Sequence, residues 1–417
     1  MKKKRIIAII IFIIILAGLV LYLFKNKFAS NFNAKGEVLL EQKNYDEAMI
    51  YFQRAFKWDK KNANACLNIG KVLYYREELD QAYDYIDKAG KLDSLLIEPG
   101  YFRGLVRLKQ NRFQESIEIF TATLVSDSTY AQAYYQRGIA RANLGDFVGS
   151  VEDYRKATEY GKGNIDIYLK SVEAKSALED YRGAIKDYDR ILGMDKNNAD
   201  AYYNRGFLKM YLMDYDGAIK DFNSTLGINE EYIDANYHRG ICYANISDFE
   251  SSISDLTKSI RGNYKLKKSY FNRALSYIHN KEFKKATIDL EKYIALDKGN
   301  AQAYYLLGIS MSMNQDFSSS ISYYNKAIEI DASRYEYFFN RGVSKGNLKN
   351  HMEAIKDYDK TIELNENYPD AYYSRGISKI NIHDYYGGCD DLKRASDLGY
   401  TLAEKHINMY CKDYLPE

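Results

Sequence analysis

Seven arginines, Arg103, Arg137, Arg205, Arg239, Arg273, Arg341 and Arg375, recur at intervals of 34 or 68 residues, and six have an aspartate sixteen residues later: Asp153, Asp221, Asp255, Asp289, Asp357 and Asp391. A planar guanidinium fork matches a carboxylate in both charge and geometry. The spacing therefore predicts the ion pairs Arg137–Asp153, Arg205–Asp221, Arg239–Asp255, Arg273–Asp289, Arg341–Asp357 and Arg375–Asp391, structural in purpose. The competing reading is a row of ligand-binding cations, which requires arginines without partners.

Other chemistry-bearing residues form no such pattern. His238, His279, His351, His383 and His406 are scattered, without the His-x-x-x-His or Cys-x-x-Cys spacing that gathers metal ligands. Glycine-rich phosphate loops are absent. Carboxylates are plentiful, but on amphipathic helices they read as a solvated face. The expectation is a chain with no catalytic residues, no metal and no cofactor. Lys plus Arg (59) nearly cancels Asp plus Glu (57), for a net charge of +2. That balance gives no long-range field for nucleic acid.

The elements that must position these residues follow from repetition. Glycine stands at 36, 70, 104, 138, 206, 240, 308, 342 and 376, always 34 or 68 apart, with Val172 and Ala274 in the two skipped places. Eleven units thus run from Ala29 to Leu402, and these glycines mark slot 8 of each. Slot 20 is small throughout, from Ala48 to Gly388, and slot 24 is large throughout, from Phe52 to Leu392. A small residue lets two antiparallel helices approach, and a bulky one a turn later fills the space beside it. Each unit is therefore a helical hairpin. In the sixth, helices are expected at about 200–212 and 216–226 around the turn Asp214-Tyr215-Asp216. Aromatics such as Tyr45, Tyr215 and Phe249 recur at that turn, as plugs for the hairpin end.

A 34-residue period with Gly at slot 8, a small residue at slot 20 and an aromatic at slot 24 resembles the tetratricopeptide repeat family. Slot 4 departs from it, with Tyr in place of the family's Trp, and the slot-32 Pro is missing. The resemblance implies an all-α solenoid, a right-handed superhelix of about eleven antiparallel helix pairs closed by a C-terminal capping helix at 403–412. It also implies that first helices line a concave groove. Slot 5 would face that groove with Tyr101, Tyr135, Tyr203, Tyr237, Phe271, Tyr305, Phe339 and Tyr373. Slot 9 below it is mostly apolar and slot 2 often acidic. Such a floor suits a peptide or protein partner with apolar anchors and basic residues. Packing between neighbouring repeats is the other reading of the same aromatics. The Lys and Asn clamp that some members use for a chaperone's carboxylate does not fit, because aromatics hold slot 5 and aliphatics slot 9.

Cys66 and Cys242 fall in first helices and read as lone buried thiols. Cys389 and Cys411, with the stretch Gly388-Cys389-Asp390-Asp391-Leu392, resemble the C-terminal ending of bacterial envelope members of the family. That likeness implies either a disulfide or two neighbouring reduced thiols.

Residues 1–28 are separate physics. Lys2, Lys3, Lys4 and Arg5 precede an uncharged run from Ile6 to Phe24. At about 1.5 Å per residue it spans a hydrocarbon core of about 30 Å. The basic cluster before it predicts a cytoplasmic N-terminus, with the repeats (29–402) and tail (403–417) outside, on the periplasmic or cell-surface side. The functional expectation is a single-pass, membrane-anchored scaffold or adaptor that binds partners in the groove. Alternatives are a self-associating envelope spacer, and a secreted soluble binder if the N-terminal segment is cleaved. Oligomeric state is not legible.

Overall fold

The computed structural model describes residues 2–412 and 414, with side chains in the first helix described for 9–19 and from 24 onward. Lys2, Lys3, Lys4 and Arg5, whose charges carry the expected orientation, have side chains outside that description, as does the tail at 413 and 415–417. Among the described residues there are 23 helices and no strand.

One compact unit, Met1–Lys196, holds α1 (Lys2–Glu41), α2 (Tyr45–Trp58), α3 (Ala63–Tyr75), α4 (Leu79–Leu92), α5 (Glu98–Lys109), α6 (Phe113–Ser126), α7 (Ala131–Asn143), α8 (Phe147–Tyr160), α9 (Ile165–Ala177) and α10 (Tyr181–Met194). The other, Asn197–Glu417, holds α11 (Ala199–Tyr211), α12 (Tyr215–Ile228), α13 (Ile233–Asn245), α14 (Phe249–Arg261), α15 (Leu266–His279), α16 (Phe283–Leu296), α17 (Ala301–Met313), α18 (Phe317–Ile330), α19 (Tyr335–Asn347), α20 (His351–Leu364), α21 (Pro369–Asn381), α22 (Tyr385–Asp397) and α23 (Thr401–Tyr410). Within each unit, consecutive helices pair and stack as in tetratricopeptide solenoids.

Why each hairpin closes is visible at its glycine. A Cβ on Gly308 would lie 2.5 Å from the Tyr324 ring, and one on Gly104 equally close to Phe120. Slot 8 is therefore empty so that the slot-24 ring can lie against the first helix. Phe52, Phe120 and Phe222 at slot 24 are fully enclosed. Burying such a side chain stabilises by about 2–3 kcal/mol.

The turn differs from the expectation. Asp214 is the cap rather than mid-turn: its side chain accepts from the Gly217 backbone N–H, so the second helix already begins at Tyr215. Asn44, Asp146, Asp180, Asp248, Asp316 and Asp384 cap their helices the same way. Just before the cap, slot 15 takes positive φ in every repeat, at Lys43, Glu77, Asn111, Glu179, Met213, Ser247, Lys281, Gln315, Lys349 and His383, and at Gly145 in the fourth repeat. The aromatics expected as turn plugs open the second helix and stack on the next repeat, as Tyr45 on Tyr75 and Phe249 on His279.

No helix break marks the expected boundary at 28/29, since α1 runs unbroken from Lys2 to Glu41. No proline interrupts it, and nothing crowds a Cβ at Gly18. The apolar stretch and the first helix of the first repeat are one rod. From Ile9 onward it contains a window long and apolar enough to cross a membrane, none of it buried, a property that a signal sequence shares.

A candidate binding groove on the first helices

The arginine ladder is engaged on two sides. Arg137 Nε and Nη2 donate to Asp153 at 2.9 and 2.7 Å, and Arg205, Arg239, Arg273, Arg341 and Arg375 grip Asp221, Asp255, Asp289, Asp357 and Asp391 with the same two-pronged geometry. In Arg137, Arg239, Arg273, Arg341 and Arg375 the remaining prong reaches back sixteen residues to the preceding repeat. Nη1 of Arg137 donates to Thr121, that of Arg239 to Asn223, of Arg273 to Thr257, of Arg341 to Asn325 and of Arg375 to Asp359. Each of these arginines therefore clamps its own hairpin and staples it to the one before. A second cation, at slot 11, completes several sites: Arg141 on Asp153, Lys209 on Asp221, Lys345 on Asp357 and Lys379 on Asp391. In the repeat with Ser171 at slot 7, Lys175 takes over alone and pairs with Asp187 at 2.6 Å. Sequence reasoning misses the slot-11 cations, although their recurrence from Arg141 onward is there to find.

The slot-5 aromatics are held by the repeat that follows. Tyr203 Oη pairs with His238 Nδ1 at 3.1 Å, while Asn272 and Asn340 donate to the hydroxyls of Tyr237 and Tyr305. Tyr373 meets His406 in the same manner. Their rings lie against slot 24 as well: Tyr101 on Phe120, Tyr135 on Tyr154, Tyr203 on Phe222, Tyr305 on Tyr324 and Phe339 on Tyr358. Phe271 leans on Tyr293 instead. Burial pushes the Tyr305 phenol up to about 12, and raises those of Tyr101, Tyr135, Tyr203, Tyr237 and Tyr373. Tyr237 is buried outright and the other seven are half-buried. This row is thus mortar between repeats that leaves one ring edge towards solvent.

What solvent reaches lies beside it. In the first unit, Tyr74 and Tyr75 of α3, Tyr101, Leu105 and Lys109 of α5, and Gln136 of α7 line a hollow of about 440 Å³. Three successive first helices build this floor, and Tyr75 is 46% exposed on it. In the second unit Tyr203, Phe207 and Tyr211 fall at i, i+4 and i+8 along α11, one helical face, with Phe207 and Tyr211 exposed. Slot 13, the source of Tyr75 and Tyr211, is an exposed aromatic position that the family resemblance does not point to.

His238 is the buried titratable group of this face. Phe207, Phe222, Tyr203 and Tyr237 surround its ring, and Lys265 Nζ lies 3.5 Å from Nε2. Burial first, and the Lys265 charge second, depress its pKa to about 4. Cys242, buried nearby in α13, is pushed up to about 12 by burial alone, and Cys66 is raised likewise. Cys389 and Cys411 form a disulfide with Cα atoms 5.6 Å apart.

The helical pairs, their 34-residue register and the glycine-ring contact decide the family, and a family model described as Tetratricopeptide repeat matches residues 29–62, 267–300, 301–334 and 335–368. The chain carries tetratricopeptide repeats. A second model of the same description matches residues 102–164. No curated protein matches in sequence. Among solved structures, YrrB, titled a TPR protein with an unusual peptide-binding site, is 17% identical, covering 45% of this chain and 97% of its own at TM-score 0.43. A tetratricopeptide repeat protein from Parabacteroides merdae is 16% identical, covering 59% and 98% at TM-score 0.42. Yeast Tom70 is 13% identical, covering 92% and 95% at TM-score 0.34. None of these likenesses bears on a ligand for this tetratricopeptide chain.

Proposed function

We propose that this chain is a membrane-anchored, non-enzymatic scaffold whose first helices hold a protein or peptide partner. The observation that carries the reading is the hollow across α3, α5 and α7, where Tyr74, Tyr75, Tyr101 and Leu105 offer apolar surface beside the cation of Lys109. Repeats of this family commonly serve protein binding, and aromatic residues around a partly desolvated hollow are what anchors a peptide side chain. The anchor rests on the exposed apolar stretch of α1, continuous with the first repeat. Cleavage near Ala29 would instead release a soluble binder, and N-terminal sequencing of the mature protein separates the two.

The test is co-purification from detergent extract, comparing the intact chain with Tyr75→Ala/Lys109→Ala, two exposed positions. Truncating Tyr237 would probe stability instead, because its ring is buried. Loss of a partner at unchanged helicity and melting temperature supports the groove. Retention of every partner by the double variant sinks it.

A further inference from the structure

The chain has one tryptophan, and it is not in the core. Trp58 ends α2 with 48% of its surface exposed, stacked on the equally exposed Phe28 of α1 at 5.3 Å. Because α2 runs back along α1, its last turn is the part of the first repeat nearest the apolar stretch. Phe28 follows Phe24, where the uncharged run ends, by four residues, or about 6 Å of helix. Cations surround this pair. Lys25, Arg54 and Lys57 line an open hollow of about 730 Å³ with Phe32 and Trp58. Lys60 and Lys61 are exposed in the loop beyond, and the local acid, Asp59, lies 3.7 Å from Lys25.

We infer that this end of the first hairpin is a membrane-contact platform, in which Trp58 and Phe28 sit in the headgroup layer and Arg54 and Lys57 engage anionic phospholipid. The inference rests on the anchored reading of α1 and deepens it. Three observations converge. Indole and basic side chains are the groups enriched at the hydrocarbon boundary, because each has an apolar body and a polar tip. A position about 6 Å beyond the apolar run falls inside a headgroup layer, since the whole bilayer exceeds its hydrocarbon core by about 10–15 Å shared between two faces. Cations outnumber the single carboxylate there, which complements a negative surface rather than a neutral one. The unbroken α1 then fixes the first repeat against the lipid instead of leaving it on a loose tether.

Trp58 reports on its own site, so the full chain needs no added probe. It is reconstituted into vesicles of phosphatidylcholine, with or without phosphatidylglycerol, some carrying lipids brominated near the headgroup end of the acyl chains. The expected result is flotation with the vesicles and loss of most Trp58 emission to the bromines when phosphatidylglycerol is present. Arg54→Glu/Lys57→Glu should still float while regaining that emission. Flotation without quenching overturns the platform and leaves the anchor intact. Failure to float overturns the anchored reading itself. Equal quenching without phosphatidylglycerol, or in the charge-reversed variant, overturns the anionic partner.

Discussion

Arg103 and Ile119 line one hollow of about 280 Å³, and the buried Nε of Arg103 has no hydrogen-bond partner there. The six other repeats with Arg at this slot place Asp where this one has Ile119, and in each the equivalent Nε–H is received. Arg103 keeps its backward staple, to Asp87 at 2.7 Å, and lacks its forward clamp. The Ile119→Asp variant is therefore expected to stabilise, by about 1 kcal/mol after loss of the half-buried Ile, since hydrogen bonds to charged groups contribute about 1.5–3 kcal/mol. Conversely, Asp255→Asn should cost about 3 kcal/mol by leaving a guanidinium without its counter-charge. Urea midpoints measure both, and an unchanged midpoint for Ile119→Asp would show that the ladder adds no net stability.

His238 sets an acid limit. Its folded-state pKa, about 4, lies below the ordinary 6.5, so the unfolded chain takes up the proton first. Stability from this site is complete above about pH 6.5 and falls as pH drops towards 4, by about 3 kcal/mol at about 1.4 kcal/mol per unit. Carboxylates add their own slope in the same range, so the difference between two proteins is what must be read. Asn occupies the corresponding slot at Asn272 and Asn340 and satisfies the same tyrosine hydroxyl, which makes His238→Asn the conservative comparison. It should lose less stability between pH 6.5 and 4 than the parent. Parallel curves would place the histidine's titration outside that window.

A third prediction concerns slot 15. Met213 has φ +62 and is 75% exposed, so its side chain gains little from packing while its backbone is held left-handed. Met213→Gly should stabilise by about 1 kcal/mol. Gly145 has φ +81 with open space around a Cβ, so Gly145→Ala should cost about the same, through the backbone alone. Thermal melts of the two variants shifting in the same direction would refute the account.

Residues with a fixed type at a fixed spacing are legible in the amino-acid sequence alone. Gly308 facing Tyr324, and Arg239 facing Asp255, are consequences of helix packing that leave a one-letter recurrence. Contacts made by varied residues leave none. The backward partners of Arg103, Arg137, Arg239, Arg273, Arg341 and Arg375 are Asp87, Thr121, Asn223, Thr257, Asn325 and Asp359, which share only a polar atom within reach. The left-handed turn is likewise held by Lys43, Met213 or Gln315 as readily as by Gly145. The same principle leaves the two readings of slot 5 indistinguishable in sequence, because a tyrosine there looks identical whether its hydroxyl meets solvent or, like Tyr237, the next repeat's Asn272. The continuity of α1 is hidden because a change of composition at residue 28 is not a change of helical geometry.

The disulfide between Cys389 and Cys411 ties the residue just after α23 to α22. Within α23 only Ala403 is buried, so the helix has little apolar surface with which to hold itself against α22. Cys411 follows it immediately, and the bond to Cys389 returns the chain to the core beside Ile380 and Leu392. With the cysteines 22 positions apart in sequence, closing this loop in the unfolded chain contributes about 3 kcal/mol. Cys389→Ala/Cys411→Ala should lose about that much. More specifically, hydrogen exchange should quicken across α23 well before it does in α22, because removing the bond releases the weakly buried element first. Unchanged protection in α23 would mean that Ala403 and its neighbours suffice, and that the crosslink holds nothing in place.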